Sequence, residues 1–261
     1  MRCAVLLLLL AFEISGAVTI GRVLPQAHAH NDYEHARPLF DALAHGFTSV
    51  EADVHLVNGE LLVAHDAEDV DGKRTLSALY LEPLHKIARN RRSIYEAGGT
   101  LMLLIDIKTE AEPTYAALKR ALEKYTGILT VFEGGEIHTN AVTVILSGNR
   151  PREMLLGEKK RFVAFDGRIS DLGKNLSKGF MPLVSDNWNN HFRWKGEGEF
   201  SESERKKLRE LVGKAHAEGR WIRLWATPER REVWRELREA GVDFINTDDL
   251  PGLAAFLRER R

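Results

Sequence analysis

Glu51, Asp53 and His55 recur at every second position of one short stretch, Ser49–Asp66, which reads SVEADVHLVNGELLVAHD. A period of two is that of a β-strand, so these three side chains share one face and Val50, Ala52 and Val54 take the other. Two carboxylates side by side on a strand face are costly to bury, and a divalent cation held between them offsets that cost. The turn signal Asn58-Gly59 sends the chain back through Leu61-Leu62-Val63 to His65-Asp66. One strand–turn–strand unit thus offers a metal-grade acidic pair and an imidazole, the parts of metal-assisted acid–base chemistry. An isolated E-x-D is more commonly a solvated surface pair. Here the apolar flanks and the His-Asp ending favour a site.

A rhythm of strands and helices must position these groups. Strand patterns cover Val23–Ala29, Ser49–Leu56, Leu101–Ile107, Ala141–Leu146, Arg161–Phe165, Gly179–Val184, Trp221–Ala226 and Phe244–Thr247, with Glu60–Ala64 as an extra excursion. Helical patterns fall between them: Pro38–His45, Thr75–Ala97 with a break near Pro83, Pro113–Tyr125, a short piece at Arg152–Leu156, Ser201–Glu218, Pro228–Ala240 and Pro251–Arg260. Ser201 followed by Glu204 is a capping-box pattern. Eight strands alternating with helices predict a parallel sheet closed as a single (β/α)8 TIM barrel, irregular at its fourth and sixth helices. An open doubly wound sheet is the competing architecture. No linker-like or low-complexity tract interrupts residues 18–261, which are read as one domain.

Barrel enzymes place function at the C-terminal ends of their strands. Those ends carry His28 and His30-Asn31-Asp32; Glu51, Asp53 and His55; Asp106 and Lys108; Ser147 and Asn149; Asp166; Ser185-Asp186-Asn187-Trp188; Trp225; and Asn246 and Asp248. Leu104, Asp106 and Lys108 share a strand face, which brings a third carboxylate and a cation toward Glu51 and Asp53. A single strand-end Asp usually caps a loop; the convergence of so many argues otherwise.

Composition bounds the partners. An apolar fraction of 44%, a charged fraction of 29% and a formal net charge of -1 describe an ordinary globular surface and exclude a basic nucleic-acid footprint. Residues 1–17 read as a signal peptide: Met1-Arg2, an apolar run Ala4–Phe12 too short to span a bilayer, then Ser15-Gly16-Ala17. The expected destination is secreted or periplasmic, with no stable membrane span in the mature chain. The only cysteine, Cys3, lies in that segment, so the remaining chain offers no thiol chemistry.

His30-Asn31-Asp32-Tyr33, the helix beginning at Pro38-Leu39, Glu51-Ala52-Asp53 and His65-Asp66 together resemble the glycerophosphodiester phosphodiesterase and phosphatidylinositol phospholipase C superfamily. The nearest likeness is to its branch related to a yeast mitochondrial-inheritance protein. The resemblance implies a metal-dependent phosphodiesterase barrel using Mg²⁺ or Ca²⁺ on a small-molecule phosphodiester or phospholipid headgroup. It implies His30 and His65 as the catalytic pair and Glu51, Asp53 and Asp106 as metal ligands. Asn31, Lys108, Trp225 and Asn246 are assigned to substrate binding. Two departures bear on substrate: the His-Arg-Gly of typical members at the first strand, and the Glu-Asn-Thr block after it, are both missing here. His28 also competes with His30 for the first histidine.

Two rival readings stay open. His28-x-His30 resembles the metal-binding H-x-H of amidohydrolases, which need further histidines at later strand ends. A barrel could also keep such a site only to bind a phosphoester. His55 is expected behind Glu51 and Asp53. Trp188 and Trp194 are expected to serve packing or loop anchoring.

Overall fold

The computed structural model describes residues 18–259, so the signal-peptide stretch 1–17 lies outside the described residues. Eight parallel strands form a closed ring: β1 (Leu24–Ala29), β2 (Phe47–Val57), β3 (Leu101–Ile107), β4 (Val142–Gly148), β5 (Val163–Gly167), β6 (Leu183–Asn187), β7 (Trp221–Trp225) and β8 (Phe244–Thr247). Each pairs with the next in sequence, and β8 pairs with β1 to close a TIM barrel. An open doubly wound sheet is thereby excluded.

The excursion Glu60–Val63 folds back antiparallel on β2, with Val54 opposite Val63 and Val57 opposite Glu60. Asn58 and Gly59 both take positive φ (51° and 85°), as the type I′ turn requires. β2 is consequently the longest strand, at 11 residues, and reaches beyond the barrel rim.

Several boundaries differ from the sequence reading. The sixth strand begins at Leu183 rather than Gly179, directly after Pro182, which has no N–H to enter the ladder. The expected long helix Thr75–Ala97 is a π-helical turn, Ser77–Leu81, running into an α-helix, Glu82–Ala88. Pro83 lies at the join, where a missing N–H is accommodated by the wider turn. The fourth helix, Arg152–Gly157, is short as expected, but the second irregularity falls at the fifth position and not the sixth. A 3-10 turn, Ile169–Asp171, stands between β5 and β6, whereas Glu202–Ala217 is a full 16-residue helix. A small sheet of Val131–Glu133, Glu136–His138 and Lys160–Arg161 lies beside the barrel. Its strands are two or three residues long, too short to show a period in sequence.

Residue alternation sorts the strands into two apolar zones. Outward side chains such as Val50, Ala52, Leu103, Ile105, Val144, Leu146 and Leu224 meet the helices in one large core. Inward side chains Met102, Leu104, Ile145, Ala164, Leu183 and Phe244, with Phe132, plug the N-terminal half of the lumen. Above that plug the inward positions become polar.

Candidate active site

Ile105 and Ile107 face the outer core, so Asp106 between them must point inward. β2 and β3 pair in register, Glu51 beside Leu104 and Asp53 beside Asp106. Parallel pairing therefore stacks three carboxylates on neighbouring strands: Glu51, Asp53 and Asp106 each place an oxygen within 4.8 Å of the others. Glu51 and Asp53 are buried and Asp106 is partly exposed at the rim. Among the described residues this is the one group of His, Cys, Asp or Glu close enough to hold a metal ion. The later histidines that an amidohydrolase-like zinc site would need are not gathered there.

Each carboxylate has a resident partner. His28 Nε2, Arg223 Nη1 and Glu51 Oε2 form a triangle, with Arg223 2.5 Å from both others and 2.9 Å between His28 and Glu51. His28 Nδ1 meets Ser49 Oγ at 2.6 Å. Burial would raise the Glu51 carboxyl, but Arg223 and His28 outweigh it and hold Glu51 well below the usual carboxylate range. Burial and the Arg223 charge depress His28 to about 4, leaving it a neutral, fully enclosed wedge. Tyr33 donates to Asp53 Oδ2 at 2.8 Å and its hydroxyl lies 3.0 Å from Asn31 Oδ1. Lys108 Nζ bridges Asp53 (2.9 Å) and Asp106 (3.3 Å). Burial and the neighbouring Glu51 charge push Asp53 up to about 6, against the pull of Lys108.

A hard divalent cation fits this donor set. All three donors are carboxylate oxygens. Asp53 Oδ1 is buried and has no protein partner, an orphaned acceptor where a ligand lone pair is needed.

The two histidines paired by the sequence reading are placed differently. His30 follows β1 at the mouth, and its Nδ1 lies 2.8 Å from Asp248 Oδ1. Burial acts to lower its pKa, but Asp248 and Glu51 win and raise it. With Nδ1 engaged, Nε2 makes no hydrogen bond among the described residues. His65 is carried to the rim by the hairpin, where Ala64 N donates to the Asp53 carbonyl at 3.3 Å. Its imidazole is half exposed and turned to Asp66 Oδ1 at 3.0 Å, with no hydrogen bond to the acidic trio. His55 does not support Glu51 or Asp53; its Nε2 meets the His65 carbonyl at 3.2 Å. The cause is the extra length of β2, which lifts His55 beyond the ring.

Of the substrate-binding candidates, Asn31 adopts a left-handed backbone (φ 45°) and Lys108 joins the trio. Trp225 is half-buried at the end of β7, in register with Asn187. Asn246 is buried beside His28 across the β1–β8 seam, and its Oδ1 has no partner. Trp188 and Trp194 are buried in the outer core. Asp32 does not enter the site: it accepts from Leu39 N (2.6 Å) and Tyr80 Oη (2.8 Å), fixing the loop into the first helix. Burial raises it to about 7. Sequence reasoning passed over Arg223. A lone Arg at the centre of WIRLW, on the face shared by Trp221 and Trp225, was the available signal.

A model of the AIM6-like phosphodiesterase domain matches residues 18–166, and one of the glycerophosphoryl diester phosphodiesterase family matches residues 222–251. The altered inheritance of mitochondria protein 6 homolog of Arthroderma benhamiae is 29% identical, covering 89% of this chain and 84% of its own length. The altered inheritance of mitochondria protein 6 of Eremothecium gossypii is 29% identical, covering 90% of this chain and 70% of its own. A solved glycerophosphodiester phosphodiesterase from Parabacteroides distasonis superposes with a TM-score of 0.52 at 18% identity, over 91% of this chain and 98% of its own. An Oleispira antarctica phosphodiesterase, solved with the product sn-glycerol-3-phosphate, gives 0.52 at 16% identity, over 90% and 96%. These two structures share the barrel fold with this chain. The relatives also correct the secreted or periplasmic destination. They are named for altered inheritance of mitochondria, which ties those proteins to mitochondria and not to secretion. No described helix is long and apolar enough to cross a membrane. A match across more than half of the chain, joined to the barrel and the carboxylate cluster at its mouth, makes this chain a member of the AIM6-like phosphodiesterase domain family, within the glycerophosphodiester phosphodiesterase and phospholipase C-like superfamily.

Proposed function

We propose that residues 18–261 form one catalytic domain that hydrolyses a small phosphodiester of the glycerophosphodiester or phospholipid-headgroup class. The observation that carries this reading is the approach of three carboxylates to within 4.8 Å of one another at the C-terminal mouth of a barrel of this family. Glu51, Asp53 and Asp106 would hold Mg²⁺ or Ca²⁺. When bound, such an ion supplies positive charge to phosphoryl oxygens as negative charge builds on them.

The chain's own groups do the rest. His30 takes a proton at Nε2 from the attacking hydroxyl or water, steadied at Nδ1 by Asp248. His65 returns a proton to the leaving oxygen, after its imidazole turns from Asp66 toward the mouth. Lys108, anchored on Asp53 and Asp106, offsets the remaining phosphate charge. Tyr33 orients Asp53, and the Arg223–His28 wedge orients Glu51. Asn31, Trp225 and Asn246 line the path of the alcohol portion. The enclosure of His28 between Ser49, Glu51 and Arg223 favours His30 as the first catalytic histidine.

The test is hydrolysis of bis-p-nitrophenyl phosphate and of glycerophosphodiesters by purified protein, with Mg²⁺, with Ca²⁺ and with chelator. His30→Ala and His65→Ala are each expected to lower kcat by about 10²–10⁴. Wild-type rates in either variant, or rates indifferent to chelator, would remove the corresponding assignment.

A further inference from the structure

The rim over β4 and β5 carries a cluster that the proposed chemistry does not use. Arg150 follows β4, Arg168 follows β5, and both are anchored on Asp166. Arg150 Nη1 donates to the Asp166 carbonyl at 2.6 Å, and Arg168 Nη1 to Asp166 Oδ2 at 2.9 Å. Asp166 is itself fully buried and held from two sides, by Ser147 Oγ at 2.8 Å and Ser185 Oγ at 2.5 Å. Beside this pair, Arg152 and Lys174 share Asp171, at 3.2 and 3.0 Å. The Phe165 ring lies under two of the guanidinium groups, 4.7 Å from Arg150 and 5.7 Å from Arg152.

Two features separate this cluster from ordinary surface ion pairing. Four cations face two carboxylates, Asp166 and Asp171, and the Asp106 carboxylate one strand away is already met by Lys108. The guanidinium forks are also held by one tine only. Among the described residues, every side-chain hydrogen bond of Arg150, Arg152 and Arg168 runs through Nη1, which leaves their Nε and Nη2 donors unspent. Arg168 is fixed by the buried Asp166 carboxylate, and Arg150 by the Asp166 carbonyl and the Phe165 face below it; forks held in this way are preorganised for bidentate contact with an oxyanion. A neutral alcohol would leave the excess positive charge unmatched.

Location supplies the rest. Ser147 on β4 is the register partner of Asp106 on β3, and Ser147 also touches Asp166. The basic cluster therefore begins one strand from the acidic trio, along the same rim.

We propose that Arg150 and Arg168, backed by Arg152 and Lys174, form an oxyanion subsite that binds a second phosphate or carboxylate group beside the scissile phosphodiester. Its place next to that diester rests on the proposed function; its affinity for an oxyanion does not. The second anion comes either from the substrate's own alcohol portion or from an adjacent lipid headgroup.

The full chain is titrated calorimetrically with glycerol 1,3-bisphosphate and with glycerol 3-phosphate, and is sedimented with phosphatidylcholine vesicles with and without phosphatidylserine. A soluble source predicts at least about tenfold tighter binding of the bisphosphate, the gain from one further charge-assisted fork. It also predicts loss of that preference in Arg150→Met/Arg168→Met. A lipid source predicts vesicle binding that requires phosphatidylserine and disappears in the same variant. Arg168→Lys keeps the charge and loses the fork, so it should fall between wild type and the double variant. Lys174→Glu, at an exposed position, gives the same direction of change should the double variant fail to fold. A wild type that shows neither preference, or preferences unchanged in Lys174→Glu and Arg168→Lys, overturns the subsite. Hydrolysis of bis-p-nitrophenyl phosphate, which has no second anion, is scored separately. Its absence would sink the catalytic reading while leaving the binding result to stand.

Discussion

The two halves of the barrel lumen are built from the same strands and differ in everything else. The N-terminal half is filled by Met102, Leu104, Ile145, Ala164, Leu183 and Phe244. One inward step further along those strands lie Asp106, Ser147, Asp166 and Ser185, facing Glu51, His28 and Arg223. The lower half is stabilised by apolar burial and close packing. The upper half buries charges that must be matched group by group, a costly arrangement that replacing the charges with well-packed apolar side chains can improve. Its retention at the strand ends is what a reactive site requires. The contrast teaches that inward direction alone does not define an apolar core; height along the strand decides whether an inward residue is apolar or polar.

Glu51→Leu breaks the contrast most severely. It leaves Arg223 and His28 enclosed without their anion, and should cost about 3–5 kcal/mol in denaturant unfolding and abolish cation binding. Stability equal to wild type would mean that charge pairing does not hold the upper half. Leu104→Ala tests the lower half, with an expected loss of about 2–5 kcal/mol and an unchanged kcat per folded molecule. A fall in kcat would show that the plug also shapes the site.

Gly148→Ala probes the top of the upper half, at the last residue of β4. Gly148 has φ +66°, and an added Cβ would collide with Asp106 Oδ1 and the Ile107 backbone. The expected cost is about 1–3 kcal/mol, with weakened Mg²⁺ binding as Asp106 is displaced. Undiminished Mg²⁺ affinity in a destabilised variant would remove Asp106 from the ligand set.

The smallest effects concern pH. Asp32 sits outside the lumen, and burial raises its folded-state value to about 7. The fold therefore favours its protonated form. That contribution is complete below the ordinary carboxylate range and fades as pH rises through about 7. Asp32→Asn should flatten the decline in Tm across that interval; an unaltered slope would contradict the assignment. Asp248 raises His30, so Asp248→Asn should move the acid limb of the kcat/KM profile to lower pH if His30 acts as base. A limb that stays in place would assign it to another group.

Much of this arrangement was legible beforehand because strand geometry is simple. The alternation of Glu51 with Val50 and Ala52, and of Asp106 with Ile105 and Ile107, determines facing. Parallel alternation with helices implies the closed sheet, and the closed sheet brings three strand-end carboxylates together. Asn58-Gly59 specified the hairpin that carries His65 to the rim. His55 was misread because period two cannot say where β2 rises past its neighbours. The second irregularity was placed one unit too late: the segment between β5 and β6 forms only the 3-10 turn Ile169–Asp171, whereas the next unit carries the regular helix Glu202–Ala217.

Sequence by itself determined the secondary structure rhythm, the barrel and the acidic trio, since these follow from local periodicity and one topological rule. Only tertiary structure decided which histidine is enclosed and which reaches the mouth, because His28 and His30 have the same parity and differ only in what crosses the lumen toward them. Arg223 makes that choice from a strand 195 residues away in sequence, by closing on His28 and Glu51. Pairing of side chains across a closed ring depends on register and reach, and neither is written in the spacing of any one segment.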